Sequence, residues 1–209
     1  TILGTSRGPQ DVNDMADTLE KFHIDILFVI GGDGTFSGAH ELSQCLRGRG
    51  RDTAGIGLPK TIDNDIYCSE RTFGFSTAVE EGRKAILSAH NEAQAAWNGI
   101  GLVKLMGRES GFIAVHSTLA NSDVNFCLIP EVPFSLEGEG GLLLRLEERL
   151  KRRHHAVIVA AEGAGQDLIA GELFRDASGN VLNKDIGLFL KEKIRKYFYD
   201  KGMPVSLKY

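Results

Sequence analysis

The chain has 209 residues and a formal net charge of −4, with 42% hydrophobic and 25% charged residues, a composition that is ordinary for a soluble globular protein. This charge provides no general basic field, so we expect neither nucleic acid nor an anionic membrane as a partner. No apolar run reaches the roughly 18 residues that span a bilayer. Any phosphate that the protein binds therefore needs a local site.

The cysteines and the chain ends bear on location. Cys45, Cys68 and Cys127 are scattered and show no CxxC spacing, which disfavours a disulfide framework or a zinc site and fits a reducing compartment. We therefore expect a cytoplasmic protein. The chain does not begin with Met, so we expect it to continue beyond both ends, and import into an organelle stays open.

Strand-like apolar runs alternate with segments of helical spacing along the whole chain. Asp11 is the expected N-cap of the first helix. The predicted helices are 11–24, 38–46, 78–97, 111–120, 140–153 and 184–199, and the predicted strands are 24–30, 52–59, 99–106, 125–130 and 154–163. This order, with strands that are apolar on both faces, predicts an α/β fold with a doubly wound, mainly parallel sheet and helices on both faces.

Ligands of such sheets bind beyond the carboxyl ends of the strands, so the residues just after each apolar run are the candidate site. Four segments qualify: Gly31–Thr35, Lys60–Asp65, Gly107–Glu109 and Glu162–Gly163.

The first of these segments lies in "VIGGDGT" (residues 29–35). Glycines permit close backbone approach, and the helix that follows directs its free N–H groups at the turn, which makes an anion cradle. Asp33 would repel a bare phosphate, but it fits if it holds Mg²⁺ against that phosphate. The alternative is a tight turn in which Asp33 only caps the helix.

The second segment, "PKTIDND" (residues 59–65), places Thr61, Asp63 and Asp65 at every second position. In an extended loop these side chains share one side. Phosphoryl transfer to an alcohol requires a carboxylate that accepts the hydroxyl proton and a neighbour that orients it, and Lys60 would neutralise the moving phosphoryl group. The alternative is an Asx-rich turn after Pro59.

Arginine and glutamate side chains complete the candidates. Arg108, freed by Gly107, could present a guanidinium to a phosphate; alternatively, it pairs with Glu109 on the surface. Arg7, between Gly4 and Gly8, is a phosphate contact or a solvated side chain. Glu162 is a hydrogen-bonding partner for sugar hydroxyls or simply ends a strand.

Seven segments together carry a family resemblance. In order, they are "TILGTSRG", "GGDGT", "PKTIDND", "FGFSTA", "NGIGLVKLMGRESGFIA", "IPEVPF" and "VIVAAEGAGQD". Their order and spacing resemble 6-phosphofructokinase over nearly the whole chain. The sequence looks most like the ATP-dependent enzymes of plants and trypanosomatids, which share sequence character with the pyrophosphate-dependent ones.

The resemblance implies a role for each matching position. Asp63 matches the general base that takes the proton from the 1-hydroxyl of fructose 6-phosphate, and Asp33 matches the Mg²⁺-associated aspartate. The other implied catalytic residues are Thr61, Asp65 and Arg108; the nucleotide residues are Arg7, Gly8, Gly31, Gly32, Asp33, Gly34, Thr35 and Lys60; and the sugar-phosphate contacts are Thr61, Asp63, Met106, Gly107, Arg108 and Glu162.

Two positions bear on the phosphoryl donor. In the resembled family, glycine at position 34 accompanies ATP, whereas pyrophosphate enzymes carry an aspartate that would repel the α-phosphate of a nucleotide. Lys60 is shared with the pyrophosphate enzymes, and the plant-like ATP group combines this lysine with Gly34. We therefore expect ATP as donor. Gly99 and Asn125 depart from the bacterial pattern at a subunit contact and at an effector site, which argues against bacterial-style regulation.

The resemblance also implies the organisation and partners of the protein. Residues 1–100 are the expected nucleotide part and residues 101–209 the expected sugar-phosphate part, with ATP, Mg²⁺ and fructose 6-phosphate as ligands and a homo-oligomer, a tetramer in the family, as the assembly. Three alternatives stand beside this reading: a pyrophosphate-dependent enzyme, a non-catalytic phosphofructokinase-like subunit, and another kinase with "GGDGT", such as an NAD or diacylglycerol kinase. The "PKTIDND" and "MGR" segments argue against the last.

Overall fold

The computed structural model describes residues 10–171, 174–175 and 181–209. These residues fall into two compact units. The first lies within Thr1–Thr61, Asp65–Phe73 and Leu173–Leu182, and the second within Ile62–Asn64, Gly74–Glu172 and Asn183–Tyr209. The units are defined by packing, so the functional division at residue 100 stays a prediction.

Helices and strands alternate as expected. The helices are α1 (Val12–Lys21), α2 (Asp33–Gly48), α3 (Phe75–Ala95), α4 (Phe112–Leu119), α5 (Leu142–Arg153) and α6 (Ile186–Asp200). The strands are β1 (Ile26–Gly31), β2 (Ala54–Pro59), β3 (Gly99–Leu105), β4 (Phe126–Leu128), β5 (His155–Ala161), β6 (Phe174–Arg175), β7 (Val181–Leu182) and β8 (Ser206–Lys208). A short 3₁₀ helix spans Gln166–Leu168. None of the helices in the described residues is long and apolar enough to cross a membrane.

The first unit is built on the parallel pair β1–β2, which is in register from Ile26↔Ala54 to Gly31↔Pro59. Alternation along β1 turns Leu27 towards a small core of Ala16, Leu42 and Leu46 from α1 and α2. Asp11 caps α1 as predicted, since its carboxylate accepts hydrogen bonds from the backbone N–H groups of the first turn.

The opposite face of β1 carries three large apolar side chains. Ile26, Phe28 and Ile30 are between 56% and 61% exposed. Parallel strands are usually covered on both faces. In the described residues of this unit, the helices pack on only one face of the β1–β2 sheet.

The second unit contains a four-stranded sheet in the order β4-β5-β3-β8, in which every pairing is parallel. Successive residues of β5 pack into two different cores. Ile158 belongs to the core that α5 and α6 cover, and Val157 and Val159 belong to the one that contains Ile86 of α3 and Ala114 of α4. Helices therefore cover both faces of this sheet, and the predicted doubly wound α/β fold is confirmed.

Several elements differ from the sequence-based expectations: the start of α2, and the 3₁₀ helix and the strands β6, β7 and β8, which were not predicted. Helix α2 begins at Asp33, five residues before the predicted start, because the glycine-rich turn continues directly into helical backbone despite the low helix propensity of glycine. Strand β8 was not predicted, because its three residues are too few to show a period of two; it is recognised only by its pairing with β3.

Helices α5 and α6 are joined through one buried carboxylate. Glu147 accepts hydrogen bonds from Lys151 Nζ (2.6 Å), Lys201 Nζ (2.7 Å) and the Tyr197 hydroxyl (2.6 Å). These donors, Lys151 first and then Lys201 and Tyr197, lower the pKa of Glu147 from 4.5 to about 2. The ionised carboxylate is therefore more stable in the folded protein than in the unfolded chain.

We expect Glu147→Gln to lower the free energy of unfolding at pH 7 by about 1–3 kcal/mol, because charge-assisted hydrogen bonds are lost. The folded-state pKa lies below the unfolded one, so this contribution is complete above pH 4.5 and disappears as the pH falls towards 2. Urea unfolding of wild type and variant across this pH range measures it. Glu148→Gln, which changes an exposed neighbour, is the control, and equal effects of the two substitutions would contradict the assignment.

Candidate functional site

The first part of the site is the start of α2. Gly31 ends β1, Gly32 is the N-cap, and Asp33 is the first helical residue. Asp33, Gly34 and Thr35 are exposed. Because Gly32 occupies the capping position, the interpretation of Asp33 as a mere N-cap is wrong. The positive end of the helix dipole and the Asp33 carboxylate meet at the same point.

The glycines of this turn serve different constraints. A Cβ at Gly31 would overlap the side chain of Thr35, and a Cβ at Gly32 would lie 3.3 Å from Thr61. A Cβ at Gly34, by contrast, meets no atom of the described residues within 4 Å. Packing among these residues therefore requires Gly31, restricts Gly32, and places no side chain in front of Gly34.

The segment after β2 begins at the same sheet edge. The Lys60 N–H donates to the carbonyl oxygen of Gly31 (2.8 Å), which continues the β1–β2 ladder by one residue. The next carbonyl oxygen, that of Thr61, accepts a hydrogen bond of 2.7 Å from the hydroxyl of Thr72, a residue that is only 3% exposed. The backbone of Lys60 and Thr61 is therefore held beside the glycine turn of the first unit by these hydrogen bonds.

The remainder of this segment is bent. Asn64 adopts a left-handed φ of 57°, so the extended backbone that we expected for Thr61, Asp63 and Asp65 is not observed, and alternation does not place their side chains on one side. Thr61 and Asp63 are half-buried, and Asp65 is exposed. By packing, Asp63 belongs to the second unit, and Thr61 and Asp65 belong to the first.

The second part of the site lies at the carboxyl ends of β3 and β5. These strands end in register at Leu105↔Ala161. The ladder continues beyond them, since Glu162 N donates to Leu105 O (2.9 Å) and Gly163 N donates to Gly107 O (3.0 Å). The structure thus brings together the loop with Arg108 and the turn with Glu162, as the strand-end argument predicted.

Two glycines make this approach possible. Gly107 has a φ of +135°, a backbone conformation that residues other than glycine rarely adopt. A Cβ at Gly163 would overlap the carbonyl oxygen of Arg108. The close approach of Gly163 to the Arg108 loop is therefore a backbone contact that these two glycines permit.

Asp63 is tied to the same loop. The hydroxyl of Ser110 donates to the backbone carbonyl oxygen of Asp63 (2.9 Å). Within the second unit, Asp63 and the Arg108 loop are thus joined directly. The ion pairs of the described residues do not include one between Arg108 and Glu109, so the surface-pair interpretation of Arg108 gains no support.

Some predicted site residues lie outside the described residues, and sequence reasoning missed two others. Arg7 and Gly8 lie outside the described residues. Met106 directly follows β3 and is 58% exposed. Sequence reasoning missed Ser110 and Thr72, because their partners Asp63 and Thr61 lie 47 and 11 positions away and no local pattern marks such contacts.

The donor set allows a test for Mg²⁺. The described residues contain no group of three or more His, Cys, Asp or Glu side chains that could hold a metal ion, so they form no all-protein metal cage. Mg²⁺ is usually bound through one or two carboxylates, several waters and substrate phosphates. The exposed carboxylate of Asp33 at a helix N-terminus fits that second kind of site.

Comparison with known proteins places this geometry in a family. The pattern of the family described as PFK, Phosphofructokinase, matches residues 1–201. The chain belongs to the phosphofructokinase family.

The curated relatives named here are longer than this chain. An ATP-dependent 6-phosphofructokinase of Arabidopsis thaliana is 52% identical over 212 residues, which cover 100% of this chain and 44% of the relative. Enzymes of the same name from Borreliella burgdorferi and Trypanosoma brucei brucei are 49% and 50% identical over 100% and 94% of this chain, and 48% and 40% of their own lengths. The chain thus spans about half the length of these relatives or somewhat less.

Solved structures agree in fold. A pyrophosphate-dependent phosphofructokinase from Marinobacter aquaeolei superposes with a TM-score of 0.70 at 22% identity, covering 98% of this chain and 49% of that one. The phosphofructokinase of Saccharomyces cerevisiae gives a TM-score of 0.69 at 26% identity, covering 99% of this chain and 29% of that one. These likenesses support the fold.

We expect Gly163→Ala to lower the free energy of unfolding by about 1–3 kcal/mol, because the added methyl group displaces the Arg108 carbonyl. The control is Gly38→Ala inside α2, where a Cβ meets no atom within 4 Å; this change should stabilise by up to about 1 kcal/mol, since alanine is the better helix former. Urea unfolding of both variants measures the contrast. A Gly163→Ala protein as stable as wild type would refute the close approach.

Proposed function

We propose that the chain is the catalytic region of an ATP-dependent 6-phosphofructokinase, which transfers the γ-phosphoryl group of ATP to the 1-hydroxyl of fructose 6-phosphate and yields fructose 1,6-bisphosphate and ADP. The observation that carries the proposal is the identity of about one half, over the whole chain, with relatives of that name. The candidate residues at the strand ends supply the chemistry that the reaction needs.

Asp63 is the proposed general base. The oxygen of the 1-hydroxyl forms a bond to the γ-phosphorus, the bond from that phosphorus to the β–γ bridging oxygen breaks, and the hydroxyl proton passes to the Asp63 carboxylate. Thr61 and Asp65 are proposed to orient the reacting groups. Support comes from the backbone restraints at Thr61 and Asp63, which limit the freedom of the segment.

The sugar-phosphate side is proposed to use Met106, Gly107, Arg108 and Glu162. Arg108 offers a guanidinium to an anionic group, and Glu162 accepts hydrogen bonds from sugar hydroxyls. Their common position at the carboxyl ends of β3 and β5 supports this assignment, because ligands of such sheets bind there.

The nucleotide side is proposed to use the glycine turn Gly31–Thr35 and Lys60, together with Arg7 and Gly8. Backbone N–H groups at the start of α2 cradle phosphate oxygens, and Lys60 offsets negative charge. Asp33 would hold Mg²⁺, which when bound neutralises charge on the phosphates. The space that the described residues leave at Gly34 supports ATP, since a nucleotide needs room beyond the two phosphates that it shares with pyrophosphate.

Pyrophosphate is the second candidate donor. The observation in its favour is Lys60, which the pyrophosphate-dependent enzymes also carry. We weight Gly34 more, because a small residue there is needed for a nucleotide, whereas a lysine serves either donor.

The remaining properties are also proposals. The family resemblance suggests a homo-oligomer, a tetramer in the family, and the composition suggests a cytoplasmic location. Two of the Arabidopsis relatives are named chloroplastic, so the compartment of this protein is to be determined by localisation of the full-length gene product.

The test uses the full-length product of the gene with fructose 6-phosphate and Mg²⁺. We expect turnover with ATP, and we expect Asp63→Asn to lower kcat by about 10²–10⁴-fold, because an amide cannot accept the proton. A coupled assay of fructose 1,6-bisphosphate formation measures both. Glu109→Gln, which changes the exposed carboxylate next to Arg108, is the control and should keep kcat within about twofold.

Each contrary outcome has a distinct meaning. Turnover with pyrophosphate alone would replace the proposed donor. Turnover with neither donor would favour a non-catalytic subunit. An Asp63→Asn protein with unchanged kcat would remove Asp63 as the base while leaving the reaction in place.

Donor choice has its own test. We expect Gly34→Asp to lower the ATP-supported rate by at least about tenfold without lowering any pyrophosphate-supported rate, because the new carboxylate repels the α-phosphate in a space that is open in wild type. Gly38→Asp adds the same charge one turn further along α2, also in open space, and should leave donor choice unchanged. Equal rates with ATP before and after Gly34→Asp would show that donor choice resides elsewhere.

A further inference from the structure

The loop from Met106 to Gly111 is fixed from several directions. Gly163 N donates to the Gly107 carbonyl (3.0 Å). At the far end of the loop, Gly111 N donates to Glu131 Oε1 (2.7 Å), which satisfies one of the free donors at the start of α4. The loop is therefore a firm support for whatever is attached to it.

Asp63 is attached to this support through Ser110. Ser110 is 5% exposed, and its hydroxyl donates to the Asp63 carbonyl oxygen at 2.9 Å across 47 positions of sequence. The accepting carbonyl belongs to the peptide between Asp63 and Asn64. Asn64 has a φ of 57°, a left-handed conformation that asparagine adopts more readily than most residues and that makes a sharp bend directly after Asp63.

We propose that Ser110 is a positioning residue for the general base. By holding the peptide plane after Asp63, its hydroxyl fixes the backbone from which the carboxylate projects and couples that carboxylate to the Arg108 loop. The inference rests on the proposed function, because a position for the base matters only if Asp63 accepts the proton. Ser110 acts in this proposal through the backbone of Asp63 and not on the substrate itself.

A purely structural serine offers the contrast. Ser117 of α4 is fully buried, and its hydroxyl also donates to a backbone carbonyl, that of Val79 (3.1 Å). Both hydroxyls satisfy a carbonyl in the same unit, and removal of either should reduce stability by a similar amount. Ser117 reaches α3 and not the Asp63 segment, so it separates loss of stability from loss of position.

The first measurement compares Ser110→Ala, Ser110→Thr and Ser117→Ala in the full-length protein. We expect Ser110→Ala to lower kcat by about tenfold to a hundredfold, as displacements of about 1 Å do in catalytic groups, while KM for ATP changes less than about twofold. Ser110→Thr keeps the hydroxyl and should restore most of kcat. Ser117→Ala should lower the urea midpoint as Ser110→Ala does, with kcat unchanged.

The second measurement places Ser110→Ala in the Asp63→Asn background. If Ser110 acts through Asp63, the double variant has the same residual kcat as Asp63→Asn alone, because effects of residues that act as a unit do not multiply. If Ser110→Ala folds poorly, Ser110→Cys is used in both measurements; its size is similar and its donor weaker, so kcat should be intermediate.

Two results would overturn the inference alone. One is a folded Ser110→Ala protein with wild-type kcat, and the other is a multiplicative loss in the double variant. A wild-type protein without turnover on either donor would instead overturn the proposed function, and this inference with it.

Discussion

The parallel pairing of β3 with β5 is the constraint on which the second unit depends. Parallel strands that end in register, here at Leu105↔Ala161, deliver two loops to one edge although they are far apart in sequence. Here the backbone hydrogen bonds continue past the strands to Glu162 and Gly163. The loops are therefore positioned by the backbone hydrogen bonds of the sheet. Arg108 and Glu162 lie where the backbone places them.

Several charged candidate side chains are exposed to solvent. Asp33, Lys60 and Asp65 are exposed, so they keep their hydration and cost little stability in the free protein. Neighbouring residues restrain the backbone beside them: Gly31 ends the strand, and Thr72 restrains Thr61. In the proposed function, a phosphate ligand would replace water at groups whose backbone is already restrained, which would reduce the ordering cost of binding.

Much of the fold of the second unit could be predicted because its central strands β3 and β5 are apolar runs that pack on both faces. Successive β5 residues such as Ile158 and Val159 lie in different cores, and this double burial is what a continuous apolar run signals. The charged candidates were predictable from their position after such runs. The contacts that hold them were not, because a bond such as that from Ser110 to Asp63 spans 47 positions, and no local pattern reports it.

Three glycines differ in their physical constraints. Gly31 and Gly163 are fixed by packing, since a Cβ at either would overlap neighbouring atoms, whereas a Cβ at Gly34 meets no atom of the described residues. A change at Gly34 is therefore expected to leave the packing of these residues intact. The likeness to a pyrophosphate-dependent enzyme, with a TM-score of 0.70 at 22% identity, concerns the fold alone. The proposed choice between ATP and pyrophosphate is therefore tested at Gly34 and does not follow from structural similarity.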